Sequence, residues 1–328
     1  MKEKLKKIKF LRKIVFYIKK LRFYKEYNLD YKYFTRNYIY SHKSKETIGY
    51  DILLLVHSLE KGMSNKVLRP FGREKIIRLI GLIKEYSNYG DSDDYEYIIA
   101  INTLRAYVDI YKDHGWQEEE NKIVNSFLRS YKDIKQIDVG CQIIKKKDFI
   151  NASKIDYANF LSTRHSAREY STQKLSKDDI EYAVNAAILS PSACNRQMCK
   201  VYHIEDEKCK EIVFKRGQGF GNFEIENANL FVITFDLAAF YFIGERNQGW
   251  LNAGLFSMNF VNALHSKNIG SCFIQFGNSS MEETEIKRVV NIPESERIAV
   301  IISAGYYEEE FKTPFSHRKE SADIYIKI

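Results

Sequence analysis

The chain has 328 residues, 45% of them hydrophobic and 14% aromatic, with a formal net charge of +8; that is enough apolar material for one large core or for two domains. Five cysteines at irregular spacing, with Cys194 and Cys199 forming C-x4-C, exclude a disulfide framework and a C-x-x-C zinc or redox motif, so free thiols in a reducing compartment, each buried as a small apolar residue, are expected. The charge is concentrated in residues 1–26, which hold eleven Lys or Arg against two Glu, and no known nucleic-acid motif accompanies it.

Within that basic run Leu5, Ile8, Leu11, Val15, Ile18 and Leu21 recur at steps of three and four, the period of an amphipathic helix. The run is shorter in apolar residues than the ~18 to 20 a bilayer crossing needs, and it lacks a signal peptide's uninterrupted core and cleavage site. Two readings stand side by side: a helix lying on an anionic membrane surface, or one docking its apolar stripe on its own protein. Residues 1–46 are set apart as this basic segment. From about Ile48 to Ile134 the periodicity is helical throughout, in DILLLVHSLEKGM, REKIIRLIGLIKEY, DDYEYIIAINTLRAYVDIYKDHG and EEENKIVNSFLRSYKDI, with turn signals at Arg69 to Gly72 and Asn88 to Asp91. Residues 135–156 show no clear period and are read as a connection, which closes a helical region spanning 47–156.

After Asp156 the texture changes. SKDDIEYAVNAAILS offers Ser176 as an N-cap with Asp179 three residues on, followed by Ile180, Ala183, Val184, Ala187 and Ile188 on one face. β-rich runs follow at 200–204, 229–236, 271–276 and 298–306. The segment 250–270 is apolar around most of its circumference, which marks a core or a subunit interface. Strands mixed with helices predict an α+β domain over 157–328.

Two segments there are rich in directed donors. In Arg164-His165-Ser166-Ala167-Arg168 the alternation sends Arg164, Ser166 and Arg168 to one face of an extended chain, a good geometry for an anion and equally that of an exposed polar edge strand. Pro191, Ser192, Asn195 and Gln197 crowd the loop after the 176–190 helix, where the Asn amide can both donate to and accept from the edge of a polar ring. Ser316, His317 and Arg318 add a further cation near the C-terminus. His203 and His265 read as satisfied structural histidines. His57 and Glu60, at i and i+3 on one helix face, are too few for a metal site. Gly217 to Gly221 lack the strand and helix of a dinucleotide fingerprint, and their glycines are expected to let the backbone approach a flavin or substrate.

Taken in order, Arg164 to Arg168, Pro191-Ser192-Ala193-Cys194-Asn195-Arg196-Gln197, Asn252-Ala253-Gly254-Leu255, Gly270-Ser271-Cys272, Ile292-Pro293, Gly305-Tyr306 and Arg318 resemble the nitroreductase family of FMN-dependent oxidoreductases, over about residues 157–328. One departure is Met198, where the family usually has Pro, with Cys199 where an aromatic is common. The His57, Glu60, Lys61, Gly62 motif, Gln218 to Gly221 and Glu245 to Gln248 look like a smaller branch with a helical N-terminal extension, associated with bacterial surface-polysaccharide gene neighbourhoods.

The resemblance implies a mixed sheet flanked by helices, a homodimer with FMN at the subunit interface, and NAD(P)H as electron donor to an electron-poor acceptor in the cytoplasm, with peripheral attachment to the inner face of the membrane where residues 1–26 engage it. It further implies that Arg164, Ser166 and Arg318 hold the phosphate, with His165 in the same segment. Arg168 would support the ribityl chain or ring edge, and the Pro191, Ser192, Asn195 and Gln197 loop the isoalloxazine. It selects no catalytic side chain and no metal. The rival reading is a non-catalytic membrane-surface adaptor built on a degenerate dimerisation scaffold.

Overall fold

The computed structural model describes residues 9–36, 44–116, 119–131, 133–143, 145, 154–217, 220, 226–240, 242–274, 276, 279–314 and 316–328. Helix α1, Lys9–Arg36, is longer than the basic run predicts. The helical region follows as α2 (Lys45–Met63), α3 (Arg73–Tyr86), α4 (Tyr95–Asp113) and α5 (Glu119–Leu128). Each starts or stops where the sequence carries a signal. Ser44 caps α2, its hydroxyl accepting from the Thr47 amide while Thr47 reaches back to the Ser44 amide. At the Phe71 turn, Gly72 takes a φ of 81°, and the carbonyl of Phe71 accepts from the hydroxyls of Tyr107 and Tyr111 at 2.7 and 2.9 Å. A Cβ on Gly62 would lie 2.5 Å from the Phe71 ring, so glycine there lets this turn close on α2.

The second half contains α6 (Tyr157–Thr163), α7 (Lys177–Ile188), β1 (Cys199–Ile204), α8 (Glu207–Arg216), β2 (Asn229–Asp236), α9 (Gln248–Ser266), β3 (Ile269–Ile274), α10 (Ser280–Val290) and β4 (Glu296–Tyr306). Ser176 caps α7 as expected, accepting from the Asp179 amide at 3.1 Å. The four strands form one antiparallel sheet in the order β1-β2-β4-β3, with a bulge in β4 opposite Ile233 and Thr234. This is an α+β fold. Helices α7 and α9 bury Ala183, Ala187, Phe260 and Leu264 against one face of the sheet, and residues of α8 and α10 (Val213, Ile286) cover the other.

The helical region shares a core with this sheet: Ile52, Leu53, Val56 and Leu59 of α2 belong to the same buried cluster as Met198, Phe235, Ala239, Phe240 and Ala253. Met198 is 1% exposed. The residue that departs from the family's proline is therefore an apolar plug between the two regions, and what it shapes is their junction.

Over its described side chains helix α1 differs from the docked-stripe reading. The described part of its stripe does not dock on the chain: residues 13–25 are all exposed, Val15, Ile18 and Leu21 among them, and the exposed Phe16, Tyr17, Phe23 and Tyr24 fall off that stripe, so this part of the helix lacks a single apolar face; Leu5, Ile8 and the Leu11 side chain lie outside the described residues. Docking is made instead by its later turns. Glu26 accepts from the Ser280 amide at 3.0 Å, and Arg36 pairs with Glu294 at 2.7 Å. Asp30 pairs at 2.8 Å with Arg297, whose other nitrogens form a two-pronged bond to Glu283 at 2.9 Å each. The Arg297 guanidinium also lies over the rings of Tyr33 and Trp250. Cys141 and Cys194 are exposed, unlike the buried cysteines expected, whereas Cys272 is buried; all five are free thiols. Among the described residues no helix is long and apolar enough to cross a membrane.

Candidate functional site: an arginine-lined cavity and a left-handed loop

At the β3 edge of the sheet the chain leaves α6 in extended conformation at Arg164 (φ −77°, ψ 114°). Ser166 then bridges in parallel to Ser271 of β3, and the Ala167 amide donates to the Ser271 carbonyl at 3.1 Å. This extended course fixes the side-chain alternation. Ala167 turns inward and is fully buried, while Arg164, Ser166 and Arg168 line one cavity of about 470 Å3 together with His165, Ser316 and Arg318.

Two glycines make the inward packing possible. Gly270 and Gly305 face each other across β3 and β4. A Cβ on Gly270 would lie 2.8 Å from the Ala167 Cβ, and one on Gly305 would lie 2.6 Å from the Tyr170 Cβ. The pair forms a slot without side chains into which the Ala167 to Tyr170 segment settles. The Tyr170 hydroxyl holds it there, within 2.8 Å of the Ala167 carbonyl and of the Ser303 hydroxyl.

Among the described residues no acidic side chain lines the arginine cavity. Three guanidinium groups and a hydroxyl with no carboxylate among them suit a phosphate monoester, whose oxygens accept paired N–H donors. Behind it, His265 sits between the Thr163 hydroxyl, 3.1 Å from Nε2, and the Tyr307 hydroxyl, 3.4 Å from Nδ1. Burial depresses its pKa below the ordinary histidine range, and the Arg164 charge adds to that. It is a satisfied structural histidine, as is His203, which stacks on Phe231.

The second cluster lies across the sheet, where α7 ends and β1 begins. Ser192 organises the turn: its carbonyl accepts from the Asn195 amide at 2.9 Å and its hydroxyl from the Gln197 amide at 3.0 Å. Cys194, Asn195 and Gln197 all take φ values of 51 to 53°, a left-handed conformation unfavourable for residues with a Cβ. Pro191, Ser192, Gln197, Cys199, Asn252 and Phe256 line a cavity of about 230 Å3. Asn195 is exposed and stands outside that lining. Burial pushes the Cys199 thiol up to about 12, which keeps it protonated.

In the sequence Asn252 stands in a quoted motif without a role of its own, and Phe256 carries no functional reading. The available signal was their i, i+4 spacing on α9, which sets both on the face turned to the loop. Asn252 accepts from the Gln248 amide group at 2.9 Å and donates to the Met198 sulfur at 3.1 Å. Tyr95 of α4 also reaches the loop, its hydroxyl 3.3 Å from Gln197 Nε2, so the helical region touches this cavity directly.

The remaining motifs have structural uses. Glu60 accepts from the Gly140 amide at 3.2 Å. A Cβ on Gly217 would lie 2.2 Å from the Phe220 ring, so that glycine makes room for Phe220; Gln218, Gly219 and Gly221 lie outside the described residues. Among the described residues no group of three His, Cys, Asp or Glu is placed to hold a metal.

Residues 161–306 match the model of the Nitroreductase family, a match that ends before Arg318. No curated protein matches the chain. Similar solved structures include a nitroreductase family protein of Streptococcus pneumoniae, 22% identical with a TM-score of 0.45, aligned over 53% of this chain and 100% of its own. A provisionally assigned nitroreductase of Desulfovibrio desulfuricans in complex with FMN is 19% identical with a TM-score of 0.46, over 54% and 98%. An FMN-dependent nitroreductase of Clostridium difficile is 24% identical with a TM-score of 0.41, over 51% and 94%.

Proposed function

With residues 161–306 forming a nitroreductase-family domain, we propose that the protein is an FMN-dependent oxidoreductase passing hydride from NADH or NADPH to an electron-poor acceptor. The observation that carries this reading is the gathering of Arg164, Ser166, Arg168 and Arg318 in the lining of one cavity. Arg164, Ser166 and Arg318 would hold the phosphate, and Arg168 the ribityl chain or ring edge. The loop of Pro191, Ser192, Asn195 and Gln197 would support the isoalloxazine, with Asn252 and Phe256 against it. Bound flavin supplies the hydride chemistry, and the chain supplies orientation and a partly dry wall.

The two clusters are distant within one chain. Asn252 and His265, which mark them, are thirteen residues apart on α9, about 20 Å along a helix axis. A two-fold dimer resolves the separation if the arginine cavity of one subunit faces the loop of the other. Leu251 and Leu255, 58% and 41% exposed on α9, supply an apolar surface for that contact. The proposed organisation keeps residues 157–328 as the flavin domain, 47–156 as a buttress on its ring side and 1–46 as a basic segment whose later turns dock beside Arg297. The cytoplasm is the proposed compartment and surface-polysaccharide metabolism the proposed setting.

The test is uptake of FMN by the purified apo-protein, with one flavin per chain and a dimer by sedimentation as the expected result, followed by anaerobic reduction with NADH and with NADPH. Protein that takes up no FMN sinks the catalytic reading and favours the scaffold alternative.

Residues 13–25 carry a second, separable proposal. They expose Ile14, Phe16, Ile18, Leu21 and Phe23 among Lys13, Lys19, Lys20, Arg22 and Lys25, a composition suited to an anionic lipid surface. Each basic residue near such a surface contributes ~1 kcal/mol, an attraction that salt screens. Full-length protein is expected to sediment with phosphatidylserine vesicles at low salt, and protein lacking residues 1–26 to stay in solution while keeping FMN. Equal sedimentation of the two forms would remove the membrane role.

A further inference from the structure

Between Asn195 and Gln197 stands Arg196, 0% exposed and among the largest fully buried side chains of the protein. A guanidinium out of water is costly unless every prong is matched. Here the matching is complete on three sides. Nε donates to the Ala193 carbonyl at 3.0 Å, which closes the turn on itself. One terminal nitrogen donates to the Ala239 carbonyl, and both reach the carboxylate of Glu245. The Phe240 ring covers the group, its centroid 5.3 Å from the guanidinium carbon.

These partners come from outside the loop. Ala239 and Phe240 follow β2 and are buried in the core shared with α2 to α4. Glu245 belongs to a short turn before α9 and is itself fixed by the Phe242 amide at 3.3 Å. The loop they hold has three left-handed residues with side chains within four positions, Cys194, Asn195 and Gln197. Each such residue costs on the order of 1 to 3 kcal/mol and persists only where surrounding contacts over-determine it. A lone polar loop would relax. Arg196 ties that backbone to Ala239 after β2 and to Glu245 before α9, both outside the loop.

We propose that Arg196, held by Glu245, is a positioning residue for the flavin reaction: it locks the loop so that Ser192 and Gln197 present a fixed wall to the isoalloxazine. The proposal rests on the flavin reading above. It also gives the Glu245 to Gln248 motif a task, with Glu245 fixing Arg196 and Gln248 fixing Asn252 on the opposite wall. The phosphate cavity lies at the other edge of the sheet, so loosening this lock is expected to alter reactivity far more than affinity.

The experiment compares the parent dimer with Glu245→Gln and Glu245→Ala by FMN titration, visible circular dichroism of the bound flavin, and anaerobic reduction by NADH or NADPH. FMN affinity is expected to stay within a few-fold of the parent. Flavin reduction in Glu245→Ala is expected to slow by roughly 10- to 100-fold, the effect of displacing a reacting group by about 1 Å, with a changed flavin circular dichroism band. Glu245→Gln keeps the side chain's shape and one carbonyl acceptor, and is expected to fall between the two. A parental reduction rate and band in Glu245→Gln together with Glu245→Ala overturns the proposal. If Glu245→Ala does not fold, Glu245→Gln decides alone, with a parental rate and band counting against it. A parent that binds no FMN is a different result, and it removes the flavin reading itself.

Discussion

Alanine at Arg164 or at Arg318 is expected to weaken FMN binding by roughly 10- to 150-fold, the equivalent of the 1.5 to 3 kcal/mol that a hydrogen bond to a charged group contributes. Both side chains line the cavity in which Ser166 and Arg168 also stand. A phosphate monoester carries about −1.5 to −2 charges at neutral pH, so with Arg164 and Arg318 on it and Arg168 lining the same cavity the loss of one leaves binding weakened but measurable. The double variant tests whether they act together. If the two arginines contact the phosphate independently, the losses multiply to roughly 100-fold or more, whereas parental affinity in both single variants would make them surface arginines and the site assignment wrong. Titration of apo-protein with FMN, followed by quenching of flavin fluorescence, provides the measurement.

A methyl group at Gly305 should do comparable damage without touching a charge. It would sit 2.6 Å from the Tyr170 Cβ and 2.7 Å from its Cγ, and Tyr170 is 2% exposed and bonded through its hydroxyl, so it has nowhere to retreat. Overpacking of this kind costs about 3 kcal/mol at the upper end of its usual range. The displaced segment carries Ala167 and the neighbouring Arg168, so Gly305→Ala is expected both to lower the denaturant midpoint and to weaken FMN binding. Gly81→Ala is the matched control. A Cβ there meets nothing within 4 Å, and replacing a mid-helix glycine by alanine stabilises by about 0.5 to 1 kcal/mol. Equal midpoints for the two variants would mean that the slot described for Gly270 and Gly305 tolerates a side chain.

What could be read from the sequence divides along the range of the interactions involved. Helix α3 and strand β2 have the bounds their patterns predict, Arg73–Tyr86 and Asn229–Asp236, because period and capping are local properties. The alternation of Arg164, Ser166 and Arg168 likewise survives into the cavity, since an extended chain fixes it. Non-local partnerships were hidden. Nothing near Arg297 announces that Asp30, 267 positions earlier, docks α1 there. Arg196 and Glu245 each lie inside a quoted motif, yet a charged residue in a polar loop reads as solvated until its partner is seen 49 positions away. Met198 stands out in the sequence only as a departure from the family's proline, and the fold shows that its side chain packs in the core shared with the helical region.

The arginine cavity has a consequence for the life of the protein before any turnover. Arg164, half-buried, and the exposed Arg168 and Arg318 line one cavity, and like charges brought close repel one another, a repulsion that a bound anion offsets. A ligand at 1,000 times its dissociation constant stabilises the folded state by about 4 kcal/mol through mass action alone, a large share of the 5 to 15 kcal/mol typical of a domain. Abundance should then follow nutrition: cells short of flavin would hold this chain closer to its unfolding threshold, and its steady-state level would fall with the vitamin supply while its transcription stayed constant.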